Sequence, residues 1–184
     1  MILKIITSNP GKVDEYNEAL ASLGIGTEHL RFPYDEIQTS DLADVVRKGM
    51  DEIKKAGICD FIIDDSGLFV DVLNGFPGVF SAYAQKTVGN AGILKLMDGI
   101  NERTANFQCC IGCSIGDRDI IVTGKCNGVI LHKETGKDGF GFDPIFSPDG
   151  KRSFAEMPLA EKNKISHRGN AVRLLAEELN RTVG

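Results

Sequence analysis

The stretch CDFIIDDSGLFVDVL, Cys59 to Leu73, sets two adjacent carboxylates, Asp64 and Asp65, between apolar runs of the kind that form buried strands. Burying an unpaired charge costs several kcal/mol, so the pair calls for a chemical reason. Neighbouring side chains on a strand point to opposite faces, and a regular strand would send only one of the two into a given site. The segment reads as two strands, FIID and LFVDVL, with Asp64-Asp65-Ser66-Gly67 at a strand end between them. There one carboxylate can face a cleft while the other is held by backbone N–H groups or stands behind it. A carboxylate pair in a cleft suits Mg²⁺, a hard ion that takes oxygen ligands together with substrate phosphates. Glu36, in YDEIQ ahead of a helix, is a candidate third acid.

Three other clusters could act with it. Thr7-Ser8-Asn9-Pro10-Gly11-Lys12 forms a strand-to-helix junction. Helix N-terminal N–H groups and the charge of Lys12 suit a phosphate there, while the plainer reading is a helix cap, with Ser8 or Asn9 capping and Pro10 in the first turn. The Walker A spacing is absent. In Asp138-Gly139-Phe140-Gly141-Phe142-Asp143-Pro144, the glycines let backbone approach a ligand. Phe140 or Phe142 offers a face for a base to stack on, and Asp143 an acceptor for base N–H groups. In AEKNKISHRGNA, Ser166 reads as an N-cap, with Lys162, His167 and Arg168 concentrated at a helix start. Cations there oppose the helix dipole and point to an electron-rich ligand. Together the clusters outline a magnesium–nucleotide site, with Lys12 and Lys162 on phosphates.

These residues need a scaffold. The chain has 184 residues, enough for a single domain, 1–184, around one sizeable core. A formal net charge of −5 without a long basic run argues against a nonspecific nucleic-acid binder. No apolar run reaches the length of a membrane span, and the N-terminus lacks a signal-peptide cleavage pattern, so a cytoplasmic location is expected. The five Cys residues do not suggest a disulfide framework, and no second CxxC accompanies Cys110-x-x-Cys113 to complete a zinc site. They read as reduced core thiols.

LKIIT reads as a buried first strand, and Val13, Tyr16, Leu20 and Leu23 as one face of a helix. GTEHLRF is a second strand. Leu42, Val45, Val46, Met50 and Ile53 mark a helix opened by Ser40 or Asp41 and closed by Gly57. A short helix around Ile93, Leu94 and Met97 precedes two long strands, Ala105–Ile115 and Ile120–Leu131, joined as a hairpin. The last helix carries Val172, Leu175 and Leu179. Alternating strands and helices followed by a hairpin imply an α/β domain with a mixed sheet.

Six segments in order, TSNPGK, DDSG, GFPGVFSA, GFGFDPIF, FAEM and EKNKISHRGNA, resemble the inosine/xanthosine triphosphate pyrophosphatases of the Ham1-like type. The resemblance spans essentially the whole chain. It implies hydrolysis of ITP, dITP and XTP to monophosphate and pyrophosphate with Mg²⁺, a homodimer, and an elongated two-lobed fold around a long mixed β-sheet with the active-site cleft between lobes. It further implies Lys12 as a phosphate-binding lysine with Thr7, Ser8 and Asn9 beside it, and Asp65, next to Ser66, as metal ligand or water-activating base. Glu36, with Asp64 a further candidate, would bind metal, and Lys162 would contact the triphosphate. Phe140 with its neighbours Gly141 and Phe142, Asp143, His167 and Arg168 would bind the base. A 6-oxo purine would be preferred if Arg168 or His167 donates to O6. One departure is visible: Ser81-Ala82-Tyr83-Ala84 lacks the arginine that many relatives carry after this serine, and Lys86 is the nearest cation. Alternatives are a Maf-like nucleotide pyrophosphatase, a nucleotide sensor without turnover, and an RNA-binding module, the last opposed by the acidic balance.

Overall fold

The computed structural model describes residues 2–21, 24–34 and 37–181. In chain order the elements are β1 (Ile2–Ile6), α1 (Pro10–Ala21), β2 (Gly26–Leu30), α2 (Leu42–Lys55), β3 (Phe61–Val70), α3 (Ser81–Thr87), α4 (Gly89–Leu96), β4 (Thr104–Ile115), β5 (Arg118–Ile130), β6 (Phe146–Ser147), α5 (Leu159–Ile165) and α6 (His167–Asn180). The strands form one six-stranded sheet in the order β2-β1-β3-β4-β5-β6. β1 runs parallel to β2 and β3, and the remaining pairs are antiparallel, so the sheet is mixed as expected.

Helix α2 shows how local sequence sets an element. The Asp41 carboxylate accepts the Ala43 N–H at 2.8 Å and caps the first turn. Leu42, Val45, Val46, Met50 and Ile53 then recur on one buried face. Gly57, at φ +77°, supplies the left-handed residue beyond the last turn.

Strands β3, β4 and β5 are long enough to serve two cores. At one end Ile62 of β3 and Cys109, Ile111 and Cys113 of β4 pack beneath α1 and α6. Phe61, Ile63 and Cys110 face α2 on the other side of the sheet. At the far end Leu68 and Val70 of β3 join Phe107, Ile130, Phe146 and Phe154 in a separate cluster closed by α3 and α4. Asp64, Asp65 and Ser66 fall between these cores on β3, and this is the two-lobed arrangement. The four Cys of β4 and β5 are buried free thiols, and burial pushes Cys113 up to about 12 and Cys126 to about 11. Cys110 and Cys113 face opposite sides of the sheet, so they make no metal pair.

Two expectations change. Asp64-Asp65-Ser66-Gly67 does not end a strand, since β3 runs unbroken for ten residues through it. The strand continues because Asp64 finds buried cationic partners, and because Gly67 has no Cβ, which would stand 2.2 Å from the Gly78 carbonyl oxygen. The second change is α3, a seven-residue helix without a side-chain N-cap that periodicity does not mark.

Helix α6 lies directly on β5: a Cβ at Gly124 would meet the Ala171 nitrogen at 2.2 Å and the His167 oxygen at 2.3 Å, both backbone. Gly124→Ala is therefore expected to push α6 outward and to cost about 1–3 kcal/mol, as overpacking does. Thermal unfolding checks the loss of stability. Turnover measured on the folded fraction should fall as well, because α6 carries His167 and Arg168.

Candidate active site

Between the lobes lies a cleft of about 730 Å³. Thr7, Ser8, Asn9 and Lys12 enter it from the β1–α1 junction, and Asp64, Asp65 and Ser66 from the middle of β3. Phe140, Gly141, Phe142 and Asp143 come from the loop before β6, Lys162 from α5, and His167 and Arg168 from α6. Every candidate residue named from the sequence is thus brought to one cavity except Glu36, which lies outside the described residues.

The two aspartates take opposite roles through strand alternation. Asp64 turns inward, its side chain 1% exposed. Its Oδ2 accepts from Lys12 Nζ at 3.0 Å, Arg168 Nη2 at 3.1 Å and Ser66 Oγ at 2.7 Å. Burial alone would raise its pKa, but the Lys12 and Arg168 charges outweigh that and hold the carboxyl well below the usual carboxylate range. Asp65 is half-buried, lines the cleft, and accepts the Ser66 N–H through Oδ1 at 2.9 Å.

The pairing continues beyond Asp64. Arg168 donates through Nη1 to Glu15, and Lys162 Nζ bridges Glu15 at 2.6 Å and Asp143 at 2.7 Å. The result is a buried chain of alternating charge, Lys12–Asp64–Arg168–Glu15–Lys162–Asp143. Burial opposes ionisation of Glu15, yet Arg168 and Lys162 lower its pKa overall. Burial prevails at Asp143, whose pKa is raised despite Lys162.

This corrects the reading of Lys162, His167 and Arg168 as unmatched cations at a helix start. Lys162 sits in the last turn of α5, where the helix dipole favours it, and its acceptors come from the chain itself. Arg168 is likewise matched, and the helix it opens is capped by Ser166 Oγ, which accepts the Gly169 N–H at 3.1 Å. His167 is neutral, since burial and the nearby Arg168 and Lys162 charges push its pKa well down. The phosphate reading of the α1 start is narrowed too: the Asn9 and Gly11 N–H groups already donate to Thr7 Oγ1 and Asn9 Oδ1.

The cleft also has flat surfaces, which lie close to the charged run. His167 stacks on Phe107, with centroids 4.7 Å apart and planes at 13°. The Phe140 ring packs against Gly11 and lies 5.1 Å from Lys162 Nζ. Phe142 is a core residue, so Phe140 is the more open of the two loop rings. Arg168 Nε and His167 Nδ1 have no hydrogen-bond partner among the described residues. The sequence reading missed Glu15, Phe107 and Gln85, and it named Lys86 only as the cation nearest the missing arginine; α3 adds Gln85 and Lys86 to the wall.

Fold and cleft define an α/β protein built to receive a ligand with both charged and flat aromatic parts. The Ham1 family model matches residues 3–178, and the chain belongs to that family. It is 47% identical to the dITP/XTP pyrophosphatase of Thermococcus kodakarensis and 45% identical to that of Pyrococcus horikoshii, in both cases over 97% of each chain. Among solved structures, the Ham1 protein of Staphylococcus aureus superposes with a TM-score of 0.81 at 28% identity, covering 98% of each chain. The HAM1 protein of Coxiella burnetii gives 0.79 at 33% identity, covering 98% of this chain and 100% of its own.

The charge chain should make stability depend on pH. Asp64 and Glu15 have lowered pKa values in the fold, so their contribution is present above the ordinary values of 3.8 and 4.5 and is lost as pH falls through the folded ones. Asp143 acts in the opposite sense, its contribution being lost as pH rises. Asp64 carries the large shift, so stability should fall as pH drops below its ordinary value of 3.8. Lys162→Met should cost about 3–5 kcal/mol by leaving Asp143 buried without its cation and Glu15 with Arg168 alone. Adding Asp143→Asn should recover part of that loss, as read by calorimetric unfolding of the single and double variants.

Proposed function

We propose that this protein hydrolyses dITP, ITP and XTP to the nucleoside monophosphate and pyrophosphate, clearing them from the nucleotide pool. One observation carries the reading: Asp65, Lys12 and the His167–Phe107 stack line a single nucleotide-sized cleft in a chain closely similar to relatives named dITP/XTP pyrophosphatase. The base would lie toward His167, Phe107 and Phe140. The partnerless Arg168 Nε–H and a His167 Nδ1 proton would be matched by the 6-oxo group of hypoxanthine or xanthine, whereas adenine presents an amino group there.

Asp65 would orient a water and take its proton as the oxygen attacks the α-phosphorus. The bond from that phosphorus to the bridging oxygen breaks, and pyrophosphate leaves. Lys12 would stabilise charge at the α-phosphate end from its place beside Asp64. Among the described residues no three of His, Cys, Asp and Glu gather to form an all-protein metal cage. Mg²⁺ usually needs only one or two carboxylates with phosphates and waters, so Asp65 fits as its protein ligand, with Glu36 a further candidate. When bound, Mg²⁺ would neutralise phosphate charge and polarise the scissile group. Asp64, saturated by Lys12, Arg168 and Ser66, would serve instead to hold those cations in place.

We further infer a homodimer working in the cytoplasm. Phe76, Phe80, Tyr83, Val88 and Leu96, all exposed and close in sequence, support a subunit contact, and light scattering of the purified protein tests it.

The decisive assay supplies Mg²⁺ with dITP, ITP, XTP, GTP or ATP and resolves the products. Monophosphate and pyrophosphate from the 6-oxo substrates, with ATP largely spared, is the expected outcome, and diphosphate with phosphate would overturn it. Asp65→Asn should keep the fold and lower kcat by about 10²–10⁴, the range for a positioned acid or base. Full activity in that variant would remove Asp65 from its role.

A further inference from the structure

A triphosphate brings several negative charges, and the inner charge chain has only one partly open cation, Lys12, to set against them. Its three cations, Lys12, Arg168 and Lys162, are matched by three anions, Asp64, Glu15 and Asp143. Several phosphate charges placed in a partly desolvated cleft need more compensation than a neutral set with one open cation supplies. One more cation lines the cavity. Lys86 stands on α3, is exposed, and makes no ion pair or hydrogen bond among the described residues.

Its backbone is nonetheless fixed relative to the reacting centre. Ser81 Oγ, at the start of α3, accepts the Leu68 N–H at 2.8 Å and donates to the Gly78 carbonyl at 2.7 Å. Ala84 is buried in the far core. Leu68 lies three residues beyond Asp65 on the same strand. So α3 holds a lysine on a four-carbon stem in the wall of the cavity that Asp65 also lines, and an ammonium of this kind binds phosphate as a mobile point charge.

We propose that Lys86 is a substrate-contacting residue that holds the β- and γ-phosphates and stabilises the departing pyrophosphate from the α3 wall. This rests on the triphosphate reading above. It assigns Lys86 to the part of the substrate that leaves and not to the nucleoside monophosphate.

The test compares wild type, Lys86→Gln and Lys86→Arg, using dITP as substrate and inorganic pyrophosphate or inosine monophosphate as inhibitor, with Mg²⁺ throughout. Lys86→Gln is expected to lower kcat/KM about tenfold, the equivalent of roughly 1.4 kcal/mol. Pyrophosphate inhibition should weaken by a similar factor, inosine monophosphate inhibition should stay unchanged, and Lys86→Arg should restore most of the loss. Unchanged pyrophosphate inhibition, or equal weakening of both inhibitors, would overturn the assignment. Titration calorimetry with magnesium pyrophosphate separates this from failure of the catalytic reading. If wild type does not turn over dITP yet binds pyrophosphate more tightly than Lys86→Gln, Lys86 keeps its role. If wild type binds no pyrophosphate, or both bind it equally, Lys86 loses it.

Discussion

The arrangement depends on a buried run of alternating charge. Its six members come from α1, β3, the loop before β6, α5 and α6, and the run ties the two ends of the chain to the middle of the sheet. A buried ion pair is weak evidence of net stability, since well-packed apolar residues of similar volume often do as well. What the pairs do here is fix geometry. Arg168 cannot leave without stripping Asp64 and Glu15 each of one of two buried cations, and Lys162 cannot leave without stranding Asp143. The α6 start, the α1 start and the Phe140 loop are therefore held at set distances around the cleft, as a site with little freedom to reorganise requires.

The same run explains the adjacent aspartates. Two carboxylates side by side would repel if they shared an environment. On an unbroken strand they do not, because alternation sends Asp64 into the α1–α6 side and leaves Asp65 at the cleft wall. The inner carboxylate draws Lys12 and Arg168 together, and the outer one faces the position where a reacting group would sit. Gly67 completes the device, because the Gly78 carbonyl approaches too closely for any side chain there.

Much of this was legible in the sequence. The face of α2, its Asp41 cap and Gly57 stop, the Ser166 cap, and the β4–β5 hairpin follow from local rules that act within a few residues. The candidate residues converge because the β1–α1 junction, the middle of β3, the loop before β6 and the α5–α6 junction all border one cleft. What escaped is non-local. Glu15 looks like a surface charge on α1, and only its pairing with Arg168, 153 positions away, shows that it is buried. Lys162, His167 and Arg168 looked unmatched for the same reason. The break expected at Asp64 failed because the cost of a buried charge was judged without its partners.

The position of Lys12 at the end of the run has a consequence for binding. Its side chain is 16% exposed, against 3% or less for Lys162 and Arg168. The buried cations behind it are each held by two carboxylates, while Lys12 has one and an open side. An incoming phosphate can therefore share Lys12 with Asp64 without breaking the inner pairs. The field that Lys12 presents is prepared in advance by Asp64, while its direction is set by the Asp64 carbonyl, which accepts from the same Nζ at 3.2 Å. Charge neutrality inside the run and one open cation at its mouth are thus parts of a single solution: the interior stays stable when empty, and the ligand meets a fixed positive end and not a disordered cluster.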